Sequence, residues 1–318
     1  MTPVADELRL VVSAAAAGQR LDNILAEPVG SRAAAQRLID AGLVSVDGRR
    51  RPKRHPVPAG ARVVVAASAH SPAPATVPVA DFAVAYEDEH LLVIDKPAGV
   101  VVHPARGHRQ GTLSQALSSR AAGGDAARAG IVHRLDRDTS GLLVVARSEE
   151  VHRRLRRALA ARTLERRYLA LVEGRPPARS GTIDAPIGRD RRRRTRMSID
   201  SDEPREARTH FELAQALPAT SLLRVRLETG RTHQIRVHLQ AIGHAVAGDP
   251  EYGTRGLLGL ERQFLHAARL AFAHPITGER IDVVSDLPSD LERALTLAGG
   301  GNGGAPEPSH RPEPPEPR

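Results

Sequence analysis

The segment His133–Gly141 contains the residues of this chain that are best suited to chemistry. It reads HRLDRDTSG and places the carboxylate of Asp136 beside two arginines, a second carboxylate, two hydroxyls and a glycine. The apolar run Leu142–Ala146 follows at once, and such a run is typical of a buried strand. We therefore expect Asp136 on a polar turn at the rim of a core, where a rigidly held acid can face a substrate. From spacing alone, a surface turn with solvated ion pairs is the alternative.

A second candidate group is the guanidinium of Arg236, within the segment Thr229–Leu239 (TGRTHQIRVHL). The spacing of Ile235, Leu239 and Ile242 puts these apolar residues on one face of a predicted helix. Arg236 lies beside that face rather than opposite it, so its guanidinium can reach across the rim of the core. A surface arginine whose charged end lies in water has the same spacing, and the residues alone do not separate the two interpretations.

Other catalytic and metal-binding arrangements fit the sequence less well. Asp136 and Asp138 resemble paired carboxylates for glycoside hydrolysis, but the flanking arginines and the missing sugar-binding aromatics count against this. The G-x-S-x-G turn of serine hydrolases is absent around Ser140. His233 and His238 are five apart, unlike the zinc-binding pair of HExxH, so no metal site is expected. Structural hydrogen bonds are predicted for the remaining histidines of the motif regions: His103, His133 and His266.

The composition favours a basic protein that meets a polyanion. The chain has 318 residues, a formal net charge of +9 and a pI near 10.9, which most simply suggests nucleic acid; a basic protein without such a partner is the alternative. It has no cysteine, which excludes disulfides and thiolate metal sites. No apolar run approaches the ~20 residues that span a bilayer. Asp6 and Glu7 stand where a secretion signal would carry positive charge. We expect a cytoplasmic protein without membrane association.

The elements that position these residues are predicted to form two domains. In the first, Gly42 ends a helix that Ser31 can cap, and a short strand then runs into the tight turn Asp47-Gly48. Ser71–Pro78 (SPAPATVP) is a Pro-rich linker, and the Gly- and Pro-rich residues 299–318 have no large apolar side chains to bury, so we expect a disordered tail. Between them, helices and strands alternate irregularly, which predicts an α+β domain on a mixed, mostly antiparallel sheet. In the first predicted domain, Leu21, Ile24 and Leu25 lie on one face of a helix that precedes the helix ended by Gly42.

The catalytic-looking segments resemble motifs of the RluA/RluD-type RNA pseudouridine synthases, whose central motif is HRLDxxTSG. Val93–Pro104 (VIDKPAGVVVHP) is similar to the first motif of that family, and Thr229–Leu239 is similar to the third. The resemblance spans nearly all of residues 20–290 and is strongest toward the members that act on large-subunit ribosomal RNA. Further matching strings, in the expected order, are Arg167-Tyr168-Leu169-Ala170, Gly248-Asp249-Pro250, Tyr252-Gly253, Leu265-His266-Ala267 and His274-Pro275.

The resemblance implies roles for four residues of the site. Asp136 takes the place of the family's catalytic aspartate, and Arg236 that of its paired arginine, which keeps a carboxylate ionised in a water-poor pocket. Tyr168 corresponds to the aromatic residue that packs against the target uracil. Arg134 corresponds to the arginine that fills the space left in the RNA when the uridine leaves the stack. The alternatives are an ordinary core tyrosine for Tyr168, and a phosphate contact or structural ion pair for Arg134.

The first predicted domain resembles an S4 RNA-binding domain through Arg20-Leu21-Asp22, Gln36-Arg37-Leu38-Ile39 and Val46-Asp47-Gly48. The S4 fold presents a basic face to structured RNA, and phosphate contacts from such a face give salt-sensitive affinity. A solvated basic face on a packing module is the alternative. The candidates for phosphate contacts are Arg20, Arg32, Arg37, Lys53 and Arg54.

A dense basic run, Arg189–Arg196 (RDRRRRTR), belongs to the larger predicted domain. As an ordinary loop it would repel itself and stay mobile. In an RNA enzyme it would follow the phosphate backbone and become ordered only on binding. We favour RNA contact through Arg191, Arg192, Arg193 and Arg194.

The implied reaction is the isomerisation of uridine to pseudouridine within RNA, and the expected partner is large-subunit ribosomal RNA or its assembly intermediate. The target base must first be flipped out of its stack. Asp136 then breaks the N-glycosidic bond, either by attacking the ribose or by abstracting a ribose proton, and the uracil rotates and rebonds through carbon 5. Because no redox change or group donor is needed, no cofactor is expected. Synthases of this kind can work as monomers.

Two other functions stay open from the sequence. The first is a synthase that acts on transfer RNA, since the motifs do not separate the two substrates. The second is a non-catalytic RNA-binding factor of ribosome assembly on the same fold, although a pure binder has no need for a carboxylate among phosphate-binding arginines. The predicted architecture is an S4-like α/β domain over residues 1–70, a linker over 71–80, an α+β catalytic domain with a central cleft over 81–298, and a tail over 299–318.

Overall fold

The computed structural model describes residues 8–29, 32–66, 81–104, 110–124 and 130–300. The chain divides into two compact units, bounded by residues 1–76 and 77–318. The predicted linker and the residues after Gly300 lie outside the described residues, as do Ser31 and the side chain of Arg37. The described part of the chain contains no helix long and apolar enough to cross a membrane.

The first unit packs two helices against a small antiparallel sheet. Its strands are β1 (Leu8–Val11), β2 (Val44–Val46) and β3 (Arg62–Val65), in the order β1-β3-β2. Its helices are α1 (Leu21–Ile24) and α2 (Arg32–Asp40). The apolar residues that the sequence placed inside are in the core, since Leu21 and Leu25 are fully buried.

The two turns predicted for the first unit are confirmed. After α2, the amide of Gly42 donates to the Ile39 carbonyl and the amide of Leu43 to the Leu38 carbonyl, with Gly42 at a φ of +71°. This closing geometry needs a left-handed residue, which glycine adopts without a Cβ clash. Asp47 and Gly48 follow β2, both with positive φ, as a type I′ turn requires.

The second unit is built on one large mixed sheet with helices packed on it. Its helices are α3 (Leu113–Ala116), α4 (Glu149–Ala160), α5 (Gln234–Ala241) and α6 (Ser289–Ala298). Its strands are β4 (Ala83–Glu87), β5 (Leu91–Lys96), β6 (Ser140–Ala146), β7 (Glu165–Glu173), β8 (Ser180–Asp184), β9 (Gly188–Arg189), β10 (Met197–Ser198), β11 (Arg208–Ala216), β12 (Thr220–Leu227), β13 (Leu265–Ala273) and β14 (Arg280–Val284).

Within the described residues, the large sheet runs in the order β4-β5-β6-β13-β7-β12-β11-β8, with β14 added on β13. Only β6 and β13 pair in parallel; the other pairs of this sheet are antiparallel. A separate two-stranded pair, β9 and β10, forms a hairpin. The predicted α+β class with a mostly antiparallel sheet is confirmed.

The strand β6 is buried on both faces, which explains its unbroken apolar sequence. Leu143 and Val145 enter one hydrophobic cluster of the core, while Leu142 and Val144 enter another. Successive strand residues point to opposite faces of a sheet, so a strand between two clusters needs apolar residues at every position. The catalytic-looking segment is thus joined to one of the most deeply held strands of the sheet.

The helix after β12 follows the prediction except at its end. Ile235 and Leu239 are buried in the main core, whereas Ile242 stands at the C-cap and is 38% exposed, so its predicted inward position is wrong. The helix is already ending there, and its turn no longer follows the 3.6-residue period of the face. Arg236 was expected at the rim, but it is buried inside the unit at 5% exposure.

Candidate active site

Asp136 begins a tight turn just before β6. The amide of Thr139 donates to the Asp136 carbonyl at 3.2 Å, which closes the turn. Leu135 is buried in the core, Asp136 is partly exposed, and Arg134 is exposed. The alternation sends the leucine inward, so it anchors the turn while the neighbouring polar residues remain accessible.

The backbone of this turn is held by a buried lysine, Lys96, from the segment that resembles the first family motif. Lys96 ends β5, is fully buried, and donates to the carbonyl of Arg137 at 2.9 Å. It also donates to the carbonyls of Pro97 at 2.7 Å and Val100 at 3.1 Å. Three backbone carbonyls therefore share one ammonium group, and they tie the turn of residues 97–100 to the turn that carries Asp136.

Two side chains from the residues just before β13 hold the other end of the Asp136 turn. Arg262 donates to the Asp138 carbonyl at 3.0 Å, and two hydrogen bonds with Asp290 fix its guanidinium at 2.6 and 3.0 Å. The Gln263 amide donates to the Thr139 hydroxyl at 3.2 Å. The turn is therefore fixed on its backbone, which leaves the Asp136 carboxylate available for chemistry.

Gly141 allows β6 to approach β13 closely. Its φ is +109°, and a Cβ at this position would collide with the backbone of Ala267. The parallel pairing of His266 with Ser140 and of Ala267 with Gly141 depends on that approach. The glycine of the HRLDRDTSG segment is thus a requirement of the strand pairing that sets the position of the Asp136 turn.

Arg236 links Asp136 to a second, deeper carboxylate. Its Nη1 donates to Asp136 Oδ2 at 3.2 Å. Its Nε and Nη2 donate to the two oxygens of Asp249 at 2.6 and 2.9 Å, while Glu251 Oε2 lies 3.5 Å from Nη2. The pairing of Arg236 with Asp136 that the family resemblance implied is therefore present in the structure.

Asp249 determines the orientation of that arginine. It is fully buried, and its Oδ1 also accepts from the amides of Glu251 at 2.9 Å and Tyr252 at 3.1 Å. Burial disfavours the charge of Asp249, but the hydrogen bonds and charge of Arg236 outweigh it and lower the pKa of Asp249. Burial likewise opposes the charge of Arg236, and Asp249 followed by Asp136 raises the pKa of Arg236 above its usual value.

Tyr168 lies on β7, buried at 5% exposure in the main core, opposite Val225 of β12. Burial raises the pKa of its phenol; Arg166 offsets part of the rise, and the negative charge of Asp136 adds to it. Tyr168 is therefore a neutral phenol at neutral pH and lies within the electrostatic reach of Asp136. Arg236 thus pairs with Asp136, Tyr168 lies within range of its charge, and the exposed Arg134 precedes Asp136 by two residues.

Four residues that hold this arrangement were not singled out from the sequence: Lys96, Asp249, Tyr252 and Arg262. The strings that contain the first three matched family motifs, so a signal was present, but it gave no role to each side chain. Their contacts join residues that are far apart in the sequence: Arg262 and Asp138, for example, are separated by 124 positions. Burial of a charged or phenolic side chain beside the site is the feature that identifies them, and it is visible only in the fold.

The structural interpretation of two histidines is confirmed. The Val144 amide donates to His133 Nε2 at 3.3 Å, and burial followed by the charge of Arg166 lowers the pKa of His133 to about 3. His266 lies between the Ser140 hydroxyl at 3.0 Å and the Ser285 carbonyl at 3.2 Å. Both imidazoles therefore act as neutral hydrogen-bonding groups under the Asp136 turn.

The basic run 189–196 forms the loop of the β9–β10 hairpin, which we call the basic hairpin (residues 188–198). Asp190 Oδ1 accepts from the amides of Arg192 at 2.8 Å and Arg193 at 2.7 Å, and its own amide donates to the Arg196 carbonyl. The sequence favoured a loop that becomes ordered only on binding, whereas the structure holds it by these internal hydrogen bonds. The side chains of Arg189 and of the residues 191–194 are exposed.

The basic residues predicted to bind RNA in the first unit differ in their surroundings. Asp22 is fully buried, accepts two hydrogen bonds from Arg20 at 2.8 and 2.9 Å, and accepts one from Arg32 at 3.1 Å. These arginines keep exposed fractions of 36% and 50%, so Asp22 fixes them without removing them from the surface. Lys53 pairs with Asp40 at 3.0 Å, and Arg54 is exposed.

Comparisons with known proteins agree with both units. The family model described as RNA pseudouridylate synthase matches residues 90–241, and the S4 domain model matches residues 19–63. An uncharacterized RNA pseudouridine synthase of Chloroflexus aurantiacus is 49% identical over 298 residues, covering 92% of this chain and 93% of that protein. The ribosomal large subunit pseudouridine synthase D of Xanthomonas campestris is 42% identical over 315 residues, covering 92% and 93%.

A solved structure is also similar. The human RNA pseudouridylate synthase domain containing 1 protein has a TM-score of 0.53 and 29% identity, over 66% of this chain and 85% of that one. The similarity extends to the arrangement of the fold as well as to the motifs.

Proposed function

This chain belongs to the RNA pseudouridine synthase family, and from that premise we propose that it isomerises uridine in large-subunit ribosomal RNA with Asp136 as the catalytic carboxylate. The enzyme is an isomerase with RNA as its substrate, and it carries an S4 domain. The ribosomal target is supported by the names of similar proteins from Xanthomonas campestris and Pseudomonas aeruginosa, each a ribosomal large subunit pseudouridine synthase D.

The observation that carries the catalytic assignment is the pairing of Asp136 with a buried, fixed guanidinium. Arg236 Nη1 lies 3.2 Å from Asp136 Oδ2, and Asp249 holds the rest of the same guanidinium through two shorter hydrogen bonds. An arginine that is anchored elsewhere can pair with one oxygen of Asp136 and leave the other oxygen open to a substrate. Both routes open to Asp136, attack on the ribose and abstraction of a ribose proton, need a carboxylate oxygen that can reach the substrate.

The remaining residues of the site support a reaction on a flipped base. A uridine must leave its stack before its glycosidic bond can be reached, and unstacking costs a few kcal/mol that contacts with the enzyme must offset. The exposed Arg134 is two residues from Asp136 and can enter the space the base leaves. Tyr168 offers a neutral aromatic ring with a protonated hydroxyl for the detached uracil. The bond to carbon 5 then forms, and the proton leaves that carbon.

The assignment is tested by Asp136→Asn, which removes the anion and keeps the shape of the side chain. The measurement is tritium release from RNA labelled at uracil carbon 5, with unmodified large-subunit ribosomal RNA and transfer RNA offered separately. We expect the wild type to release tritium from the ribosomal RNA and the variant to release none while it binds that RNA nearly as tightly.

Asp138→Asn is the matched control, since Asp138 lies two residues away and pairs with the exposed Arg137 at 2.9 Å. The Asp138 side chain takes no part in the proposed reaction, and Arg262 holds only the Asp138 carbonyl. We therefore expect Asp138→Asn to retain turnover. Turnover by Asp136→Asn comparable to that of Asp138→Asn contradicts the catalytic assignment. Release from transfer RNA alone contradicts the ribosomal target and leaves the isomerase intact.

A further inference from the structure

Tyr252 lies between the basic hairpin and the paired charges of Arg236 and Asp136. Its hydroxyl accepts from the Met197 amide at 3.0 Å and donates to the Met197 carbonyl at 3.2 Å. His233 Nδ1 lies 3.0 Å from the same oxygen. Met197 is the first residue of β10, so this hydroxyl fastens the returning strand of the hairpin to the residues that follow Asp249.

The ring of Tyr252 contacts an arginine from each side of this junction. The guanidinium carbon of Arg196, the residue before β10, lies 4.5 Å from the ring centroid, and that of Arg236 lies 4.9 Å from it. Both distances are within the range of cation–π attraction. Glu251 adds a second link, since its carboxylate lies 3.5 Å from Arg236 Nη2 and 4.0 Å from Arg196 Nε.

The internal hydrogen bonds of the basic hairpin hold its shape, and contacts outside the hairpin set its position. Its two strands pair over only two positions, Met197 with Arg189 and Ser198 with Gly188. A two-stranded ribbon of this length is marginally stable alone. Tyr252 therefore helps to hold the hairpin in place, beside the backbone hydrogen bonds between Ile187 and Arg205. The hairpin in turn adds to the packing of Ile187, Ala207 and Val237 that holds the aromatic ring beside Arg236. Neither group can shift without changing the contacts of the other.

We propose that Tyr252 is a positioning residue that couples RNA binding at the basic hairpin to the orientation of Arg236 opposite Asp136. RNA held by the exposed arginines keeps β10 in place, β10 keeps the Tyr252 ring in place, and the ring limits the movement of the Arg236 guanidinium. The hairpin thus contributes to the chemical step as well as to affinity. This inference rests on the proposed catalytic role of Asp136 and on RNA contact by the hairpin.

The test is a double-mutant cycle on the single-turnover rate at saturating ribosomal RNA, with the dissociation constant measured for each variant. Tyr252→Phe keeps the ring and removes the hydrogen bonds of the hydroxyl to Met197 and His233. Arg192→Gln with Arg193→Gln weakens hairpin binding to RNA. We expect each to slow the chemical step about tenfold, the effect of losing roughly one hydrogen bond. Combined, they should again slow it about tenfold, because both interrupt one connection.

Tyr86→Phe is the matched control. It also loses a tyrosine hydroxyl bound to a partner, since Tyr86 donates to Asp88 at 2.7 Å on β4, and the chain has no tyrosines beyond Tyr86, Tyr168 and Tyr252. We expect its single-turnover rate to match the wild type. Arg196→Gln provides a second approach that leaves Tyr252 intact, and it should slow the chemical step in the same direction as Tyr252→Phe.

Two outcomes overturn the coupling. In the first, the combined variant slows the step by the product of the separate effects, about a hundredfold for two tenfold losses, which means independent action. In the second, the hairpin variant changes the dissociation constant and leaves the saturated rate unchanged. Failure of the catalytic assignment is distinguishable from both, because it appears in the same assay as retained turnover by Asp136→Asn.

Discussion

The guanidinium of Arg236 lies near three carboxylates, those of Asp249, Asp136 and Glu251, and their geometry gives them different roles. Asp249 takes Nε and Nη2 at 2.6 and 2.9 Å, whereas Asp136 takes only Nη1 at 3.2 Å. The buried carboxylate of Asp249 is also anchored by two backbone amides. The stronger partner therefore fixes the arginine, and the weaker, more accessible partner remains available to a substrate.

This division predicts the effect of Asp249→Asn. An amide keeps the shape but loses the charge, so the guanidinium loses its anchor and turns toward Asp136 and Glu251. Hydrogen bonds to charged groups contribute about 1.5–3 kcal/mol, so we expect kcat to fall roughly 10- to 100-fold. RNA affinity should change little, because Asp249 is fully buried. Single-turnover rates and dissociation constants measure the two quantities separately.

Glu251→Gln is the comparison for that variant, since Glu251 lies 3.5 Å from Arg236 Nη2 and its side chain is 29% exposed. We expect at most a few-fold loss, in line with the small contribution of partly exposed ion pairs. An equal loss in both variants would mean that the total negative charge near Arg236 matters and that the anchoring geometry does not.

At the scale of elements, the sequence predicts those parts whose causes are local. The run Leu142–Ala146 becomes β6 because each residue is apolar, and α2 ends where Gly42 supplies a left-handed turn. The sequence could not place Lys96 under the Arg137 carbonyl, because these residues are 41 positions apart and meet only through the pairing of β5 with β6. The buried position of Arg236 was missed for a similar reason, because it depends on the hydrogen bonds with the buried Asp249, which is 13 positions away.

In the first unit, the buried carboxylate of Asp22 holds arginines in place, as Asp249 holds Arg236 in the second unit. It joins Arg20, which precedes α1, to Arg32 and Gln36 of α2, so the start of one helix is tied to the other. Hydrogen bonding with Arg20 lowers the pKa of Asp22 far below its usual value, although burial opposes the shift. The two arginines proposed to touch RNA are consequently held by a group whose charge depends on pH.

The sign of that dependence follows from linkage. A carboxyl group whose folded pKa is depressed contributes stability that is complete above its unfolded pKa, near 3.9, and is lost as the pH falls toward its folded pKa. We therefore expect Asp22→Asn to destabilise the first unit at pH 7, by about 1.5–3 kcal/mol. Below pH 3 the difference between the variant and the wild type should shrink.

Hydrogen exchange of the β3 amides measures this prediction within the first unit. The variant should exchange faster than the wild type at pH 7, and the ratio of their rates should approach one in acid. Asp40→Asn is the control, since Asp40 pairs with Lys53 at the surface and its side chain is 60% exposed. A ratio that is no closer to one below pH 3 than at pH 7 would show that the charge of Asp22 does not stabilise the unit.

At the scale of the molecule, the net charge of +9 is less informative than where positive charge stays unpaired. Many arginines are neutralised by a carboxylate, as Arg20 is by Asp22 and Arg262 by Asp290. Within the described residues, Arg192, Arg193 and Arg194 lie in no ion pair, although Arg191 approaches Asp200 and Asp202. The tip of the basic hairpin is therefore an exposed concentration of positive charge, which suits a phosphate backbone.

This distribution predicts how RNA affinity responds to salt. Each phosphate contact releases counterions and contributes about 0.7–0.9 to the slope of log affinity against log salt, so Arg192→Gln, Arg193→Gln and Arg194→Gln together should lower the slope by about 2–3. The matched variant changes Arg153, Arg156 and Arg157, three exposed arginines of α4, to glutamine and removes the same charge elsewhere in the unit. If the hairpin contacts the backbone, only the hairpin variant lowers the slope. Equal slopes in the two variants would mean that affinity follows net charge, and the proposed contact would fail.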